Sequence, residues 1–515
     1  MTKVSKGVIA LAAMAAVAIA LTGCAGSGGS SASPSSSEWN GEQIASAVIA
    51  LPAQTTSFDP TKSASATDRV AAALMFTALY LQKKDGTVEP GLADGPAVFN
   101  DDLTEATVKM KAANFSDGSP ITANDVVATI EREQSVEDSV IASTTGKIKT
   151  VEAIDDSTVK FTFVSPYPSF EGVAGLLSIY PAAELTDPDA YYEAPTVTSG
   201  QYTITEGWAS NKLELDANPE FWGGDPAVEK VTFQVLADGN SALSQLQSGQ
   251  IDFAGDLAPS YIGQVTDTPG LRVEVSQVFG FFDLRLRNDH APFDDANVRK
   301  AVNAALDRTQ IVSSIWGEYN TPQSGFWPVG MEGNDPDKSV KQDLEGAKEL
   351  LKGTACESGC TVDMIYSDQD FAFSQQLALM VQEQLGKIGI TLNLENLDGA
   401  TLVDRLFAGQ FDMAPGAMTS GTNTPDQLLN LALNGNGPLS AEFTGYNSDE
   451  MNALIETAIT TTGEDRTTAV DQIETLFSED QPLVTVAPWV RGSATKLPEG
   501  VFSLVGASAI MATVK

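Results

Sequence analysis

Chemistry in this chain has few places to start. Among 515 residues there is one histidine, His290, and three cysteines, Cys24, Cys356 and Cys360. Metal sites built from several histidines, and zinc modules rich in cysteine, are therefore excluded. A Ser-His-Asp triad would have to run through His290. That residue lies in Asn288-Asp289-His290-Ala291-Pro292, a polar run that reads as a surface loop, with ligand or metal contact as the less favoured alternative. No G-x-S-x-G, H-E-x-x-H or P-loop pattern occurs, so an enzyme would need two carboxylates that converge only in the fold. Hydrolase chemistry is thereby constrained but not eliminated. Lys and Arg number 30 against 68 Asp and Glu, a formal charge of −38. Nucleic acid needs clustered cations, and anionic lipid attracts them, so neither is an expected electrostatic partner.

The cysteines carry an address. Met1 to Lys6 is short and basic, and Gly7 to Leu21 is an uncharged apolar run of 15 residues. A bilayer-crossing helix needs roughly 20, so the run reads as a secretory signal, with a short membrane anchor as the alternative. Leu21-Thr22-Gly23-Cys24 then looks like a bacterial lipobox, in which the cysteine is lipidated and becomes the new N-terminus. Residues 1–23 are assigned as signal peptide and 24–38, rich in Gly and Ser, as the lipidated Cys24 with a flexible tether. The expected location is the outer face of the cytoplasmic membrane. Cys356 and Cys360 remain, and an even pair in an exported chain reads as a disulfide. The enclosed loop is tiny, which favours a local staple over a redox or metal role.

Elements must position whatever the chain binds. Length suggests about three domains, and 42% hydrophobic with 19% charged residues is globular, not disordered. Ser241 to Gly255 reads as a helix, a glycine stop and a short buried strand, and Leu402 to Ala414 repeats that order. Both contain Gly-Gln-apolar-Asp-apolar-Ala, which suggests two lobes built on related α/β units; chance recurrence of a helix-to-strand turn is the alternative. Val228–Leu236, Thr361–Tyr366 and Ile390–Leu394 read as strands and Phe371–Leu385 as a helix, predicting largely parallel sheets. Phe76 to Tyr180 reads differently, with hairpin-like Thr158–Val164 and a helix opening on a capping box at Thr122-Ala123-Asn124-Asp125.

Longer motifs resemble a known family. Ser57-Phe58-Asp59-Pro60, Leu79-Tyr80, Asp85-Gly86 and Pro90-Gly91-Leu92-Ala93 come first. Phe115-Ser116-Asp117-Gly118-Ser119-Pro120 through Val126 follows, then Gly200-Gln201-Tyr202 with Asn218-Pro219-Glu220-Phe221-Trp222-Gly223-Gly224. Pro292-Phe293-Asp294-Asp295-Ala296-Asn297-Val298-Arg299, running to Arg308, comes last. In this order the blocks are similar to those of extracytoplasmic solute-binding proteins of ABC importers, the family 5 that includes peptide and nickel binders. Physically, the blocks read as turns, caps and helix faces, with Arg299 and Arg308 pairing locally.

The resemblance implies a two-lobed α/β clamp of the periplasmic-binding-protein type II, with an additional α+β domain inserted in lobe I. Lobe I would comprise 39–75, 181–278 and 486–515, the inserted domain II 76–180, and lobe III 279–485. Crossings near Val278–Phe281 and Gln481–Val486 would form the hinge. The implied protein is a monomer, with no catalytic residues, no metal and no cofactor, that captures a peptide or similar small polar solute and hands it to permease subunits. An oligosaccharide or metal chelate as ligand, and a sensing role without transport, are the alternatives. In the peptide binders this segment carries a tryptophan and, three residues on, an aspartate that holds the peptide amino group; aligned without gaps, Met418 and Gly421 stand there instead. The expected ligand contacts are Met418, Thr419, Ser420, Gly421, Thr422 and Asn423, with Ser65 and Ala66 facing the same cleft. A merely polar loop is the alternative for the Thr419–Asn423 run. Phe281 and Phe282 could wall the cleft or pack in a core.

Overall fold

The computed structural model describes residues 39–514 apart from 63–65, 85, 210, 267, 336–339, 369–370, 438–439 and 506–507. Cys24 and the signal and tether assignments lie outside these residues, as does Ser65. Residues 36–515 form one compact unit.

A ten-stranded sheet runs through it. In spatial order its strands are Ile390–Asn396, Cys360–Tyr366, Met413–Ser420, Arg272–Leu286, Leu483–Thr495, Phe253–Ala254, Ile44–Leu51, Val228–Val235, Lys212–Ala217 and Tyr202–Ala209. The largely parallel sheets expected from sequence are corrected here. Parallel pairing joins Ile44–Leu51 to both its neighbours and Cys360–Tyr366 to both of its own, whereas the centre and one edge are antiparallel. The reason is the pair of long strands in the middle. Arg272–Leu286 and Leu483–Thr495 lie antiparallel and thread both halves into one sheet, which no βαβ unit predicts. Their register breaks between Gln277 and Phe281, where three residues face Trp489 alone, and again opposite Val486. Such bulges bend and twist a sheet locally.

The two repeats fold alike. Helices Gly239–Ser248 and Gly399–Phe407 each begin on an aspartate cap, Asp238 accepting from Ser241 N and Asp398 from Thr401 N. Each gives way to a left-handed glycine, Gly249 at φ 78° and Gly409 at φ 65°, a conformation only glycine adopts without strain. The aspartate three residues on then does the same work twice. Asp252 accepts from Val48 N and Asp412 from Asp363 N, each at 2.8 Å, satisfying an amide of the neighbouring strand.

Cores follow the chain's segments. One lies around Ala47–Phe76, Tyr180–Phe233 and Leu497–Met511, and another around Phe282–Leu306, Val362–Leu392 and Val484–Ala487. Residues 79–179 bury their own core between an antiparallel sheet, ordered Val98–Phe99, Glu105–Lys109, Thr158–Phe163, Ile148–Asp155, and helix Ala123–Gln134. That helix carries the capping box, Asp125 Oδ2 accepting from Thr122 N at 2.7 Å. Among the described residues Arg299 and Arg308 make no ion pair. They donate to main-chain oxygens of Asp480, Gln481, Phe293, Thr485 and Asn303, tying a helix to the start of a crossing strand. Cys356 and Cys360 are joined as a disulfide, Cα to Cα 4.8 Å.

Candidate functional site

The first strand ends at Leu51, and the chain then loops through Ser57-Phe58-Asp59-Pro60 into helix Ala66–Met75. This loop and helix form one wall of a cavity of about 580 Å³. A second wall comes from the 76–180 block, including Gln82, Lys83, Leu176 and Tyr180. Phe221-Trp222-Gly223 and the strand pair near the C-terminus close a third side, and Gly421 with Gln427 reach in from the last. The size suits one small organic solute. Its floor is aromatic, with Phe76 on Tyr180 at 4.7 Å between ring centres and Tyr191 and Tyr192 behind them.

Charge in the walls is organised by burial. Asp59 is 1% exposed and fully committed, its Oδ1 accepting from Thr61 N and Oγ1 at 2.9 and 2.6 Å and its Oδ2 from Arg132 at 3.0 Å. Behind it Glu133 is buried, and desolvation, with the Asp59 charge adding and Arg132 opposing, pushes its carboxyl up to about 8. Asp68 accepts from Thr56 N and Oγ1, both at 2.8 Å, which pins the loop to the helix. Glu89 pairs with Lys83 at 2.5 Å. Arg69, on the same wall, has no ion pair among the described residues. Burial lowers its pKa with nothing offsetting it, and a guanidinium remains charged regardless.

The expected contacts are mostly elsewhere. Phe281 is fully buried against Phe326, and Phe282 is 3% exposed and stacked on Trp316, with Phe371, Phe373 and Trp489 around it. Neither walls the cleft; both are core, because alternate residues of the central strand bury on its two packed faces. Met418 pairs across from Phe281 and shares its core. The Thr419–Asn423 loop is also corrected, since its first two residues complete the strand Met413–Ser420. Hydroxyls there satisfy one another: Ser420 Oγ accepts from Thr422 N, and Thr422 Oγ1 meets Thr424 Oγ1 at 2.6 Å. Ala66 opens its helix.

Of the expected contacts among described residues, only Gly421 lines the cavity. Its N donates to Gln427 Oε1 at 2.6 Å. A Cβ there would sit 3.0 Å from Leu176 Cδ1 and 3.3 Å from Gln427 Oε1, so a side chain has no room without displacement. This stretch instead clasps the 76–180 block. With its amide turned to suit its neighbours, Gln82 donates to Gly421 O at 3.2 Å and accepts from Asn423 N at 3.0 Å. Gly86 and Gly172 pack so closely on Asn423 and Thr424 that Cβ atoms would meet them at 2.6 and 3.2 Å. Lys84 of the same block pairs with Glu274 on a crossing strand.

Sequence reasoning missed Arg69, Gln82 and Gln427, none of which sits in a motif. The signal for two other parts was present but read as structural. Ser57–Pro60 and Phe221–Gly223 read as turn and fold markers, yet both line the cavity. His290 is no triad member, since Nδ1 faces Asp289 at 3.2 Å and Nε2 faces Asp412 at 3.0 Å, leaving no nitrogen for a serine. Among the described residues no group of three or more His, Cys, Asp or Glu could hold a metal ion, and no helix is long and apolar enough to cross a membrane.

Comparison with known proteins agrees with this architecture. The family model described as "Bacterial extracellular solute-binding proteins, family 5 Middle" matches residues 87–439. The periplasmic oligopeptide-binding protein OppA of Salmonella typhimurium is 25% identical over 486 residues, 86% of this chain and 88% of its own. The probable D,D-dipeptide-binding periplasmic protein DdpA of Escherichia coli is 27% identical over 403 residues, covering 75% and 76%. Among solved structures, the ABC transporter substrate-binding protein CtaP of Listeria monocytogenes superposes with a TM-score of 0.80 at 22% identity, covering 90% of this chain and 95% of that one. The mixed α/β fold is thus shared with solute-binding proteins.

Proposed function

The chain belongs to the bacterial extracellular solute-binding proteins of family 5, and from that premise we propose that it captures a peptide or similar small polar solute for an ABC importer. The family binds solutes and does not catalyse. The observation that carries the reading is the cavity of about 580 Å³, walled by three separately packed parts of the chain. A solute held there touches all three at once, so it stabilises whichever arrangement brings them together. The bulged crossing of the two long strands, at Gln277–Phe281 and Val486–Val490, is where the halves would pivot as lobes I and III, with 76–180 moving as domain II. The Gln82–Gly421 clasp would then belong to the closed state that a permease recognises. Cys24 would hold the protein to the outer face of the membrane by a lipid, and the Gly/Ser tether would let it reach the permease as a monomer.

Two measurements test this. Mature protein purified from its own cells, then denatured, should release a small polar solute detectable by mass spectrometry. Deleting the gene should abolish uptake of that solute. A protein that releases nothing, or a deletion strain that imports the released solute at the normal rate, would refute the reading.

A further inference from the structure

Five charged side chains line the cavity: Asp59, Asp68, Glu89, Lys83 and Arg69. Four are already committed within the protein. Asp59 is held by Arg132 and Thr61, Asp68 by Thr56, and Glu89 and Lys83 by each other. Arg69 alone has no hydrogen bond or ion pair among the described residues, yet none of its nitrogens is sealed from solvent. A guanidinium withdrawn partly from water without a partner is an unfavourable arrangement that a bound anion would relieve. The neighbouring polar group points the same way. Gln427 uses its oxygen on Gly421 N, which leaves its amide nitrogen as a donor at the wall. Where an acid could have met a ligand ammonium stands Gly421, whose Cβ position lies 3.0 Å from Leu176 Cδ1. Asp426, the next acid along, is buried and does not line the cavity.

Resting on the solute-binding reading above, we propose that the solute carries a carboxylate and that Arg69 is the residue that binds it. A carboxylate is favoured over a phosphate because one uncommitted cation neutralises one negative charge, and Lys83 is held by Glu89. The guanidinium presents two parallel N–H groups to the two carboxylate oxygens, a geometry lysine reproduces in charge but not in shape. The solute's remaining polar groups meet neutral amides, so a second charge on it has no counterpart in the walls.

The test compares the unaltered protein with Arg69→Gln and Arg69→Lys, all purified from the same cells, with circular dichroism confirming that each is folded. Solutes released on denaturation are weighed before and after methyl esterification. The unaltered protein should release a solute that gains a methyl group, Arg69→Gln should retain at least about tenfold less of it, and Arg69→Lys should fall between. A released solute that does not esterify, a phosphate ester included, would overturn the carboxylate assignment. Equal occupancy in Arg69→Gln would overturn the role of Arg69 while leaving solute capture intact. An unaltered protein that releases no solute would remove capture itself, and this inference with it.

Discussion

Glu133 offers the sharpest check on how burial organises the cavity wall. It is 1% exposed on helix Ala123–Gln134, and Oε2 has no hydrogen-bond partner among the described residues. Around it stand Asp59, Arg132 and the rings of Tyr180 and Tyr192. The carboxyl is pushed from 4.5 to about 8, first by desolvation, then by the Asp59 charge, with Arg132 opposing. A group whose folded pKa is raised contributes stability that is full below the unfolded pKa and is lost as pH rises through the folded one. Here that window runs from about 4.5 to about 8. At about 1.4 kcal/mol per pH unit, keeping Glu133 in place costs about 3 kcal/mol at pH 7 and at most about 5 kcal/mol above pH 8. Glu133→Gln keeps the shape and removes the ionisation. Urea unfolding followed by circular dichroism should therefore find the two proteins within about 1 kcal/mol at pH 5. By pH 9 the variant should be the more stable by several kcal/mol. A stability difference that stays constant from pH 5 to pH 9 would mean that Glu133 titrates like an exposed carboxylate, and the account of this wall would fail.

Gly421→Asp should lower the melting temperature by a few degrees, a loss of about 1–3 kcal/mol, because its Cβ meets both Leu176 Cδ1 and Gln427 Oε1. Differential scanning calorimetry reads this, and adding Leu176→Ala should recover part of the loss. Phe282→Ala should cost about 3–5 kcal/mol of stability in urea unfolding, yet leave the affinity for the released solute within about twofold, because the ring fills a core and not the cavity. A large affinity loss at unchanged stability would return Phe282 to the binding wall. Cys24→Ala should move the protein from the detergent phase to the aqueous phase in a partition assay, and unchanged partitioning would remove the lipid anchor.

Local grammar was legible in the residues themselves. The recurrence of Gly-Gln-apolar-Asp-apolar-Ala marks two helix-glycine-strand units, because the left-handed glycine and the strand-capping aspartate are decided within a dozen residues. Thr122 and Asp125 announce a helix start for the same reason, and Cys356 and Cys360 are close enough in sequence to meet whatever the rest of the chain does. Tertiary structure decided what these units share. Parallel strands on either side are fused by two long antiparallel ones, and that pairing joins residues some 200 positions apart, which no local pattern encodes. The site followed the same rule. Thr419 to Asn423 looked available because hydroxyls and amides bind polar ligands, but Ser420 and Thr422 bond within the run and to Thr424, and Gln82 of the 76–180 block takes the main chain of Gly421 and Asn423. Phe281 and Phe282 looked like a wall, but a central strand packed on both faces buries alternate side chains in either direction. Arg69 gave no signal at all, since whether a cation lacks a partner among the described residues is settled by distances across the folded chain.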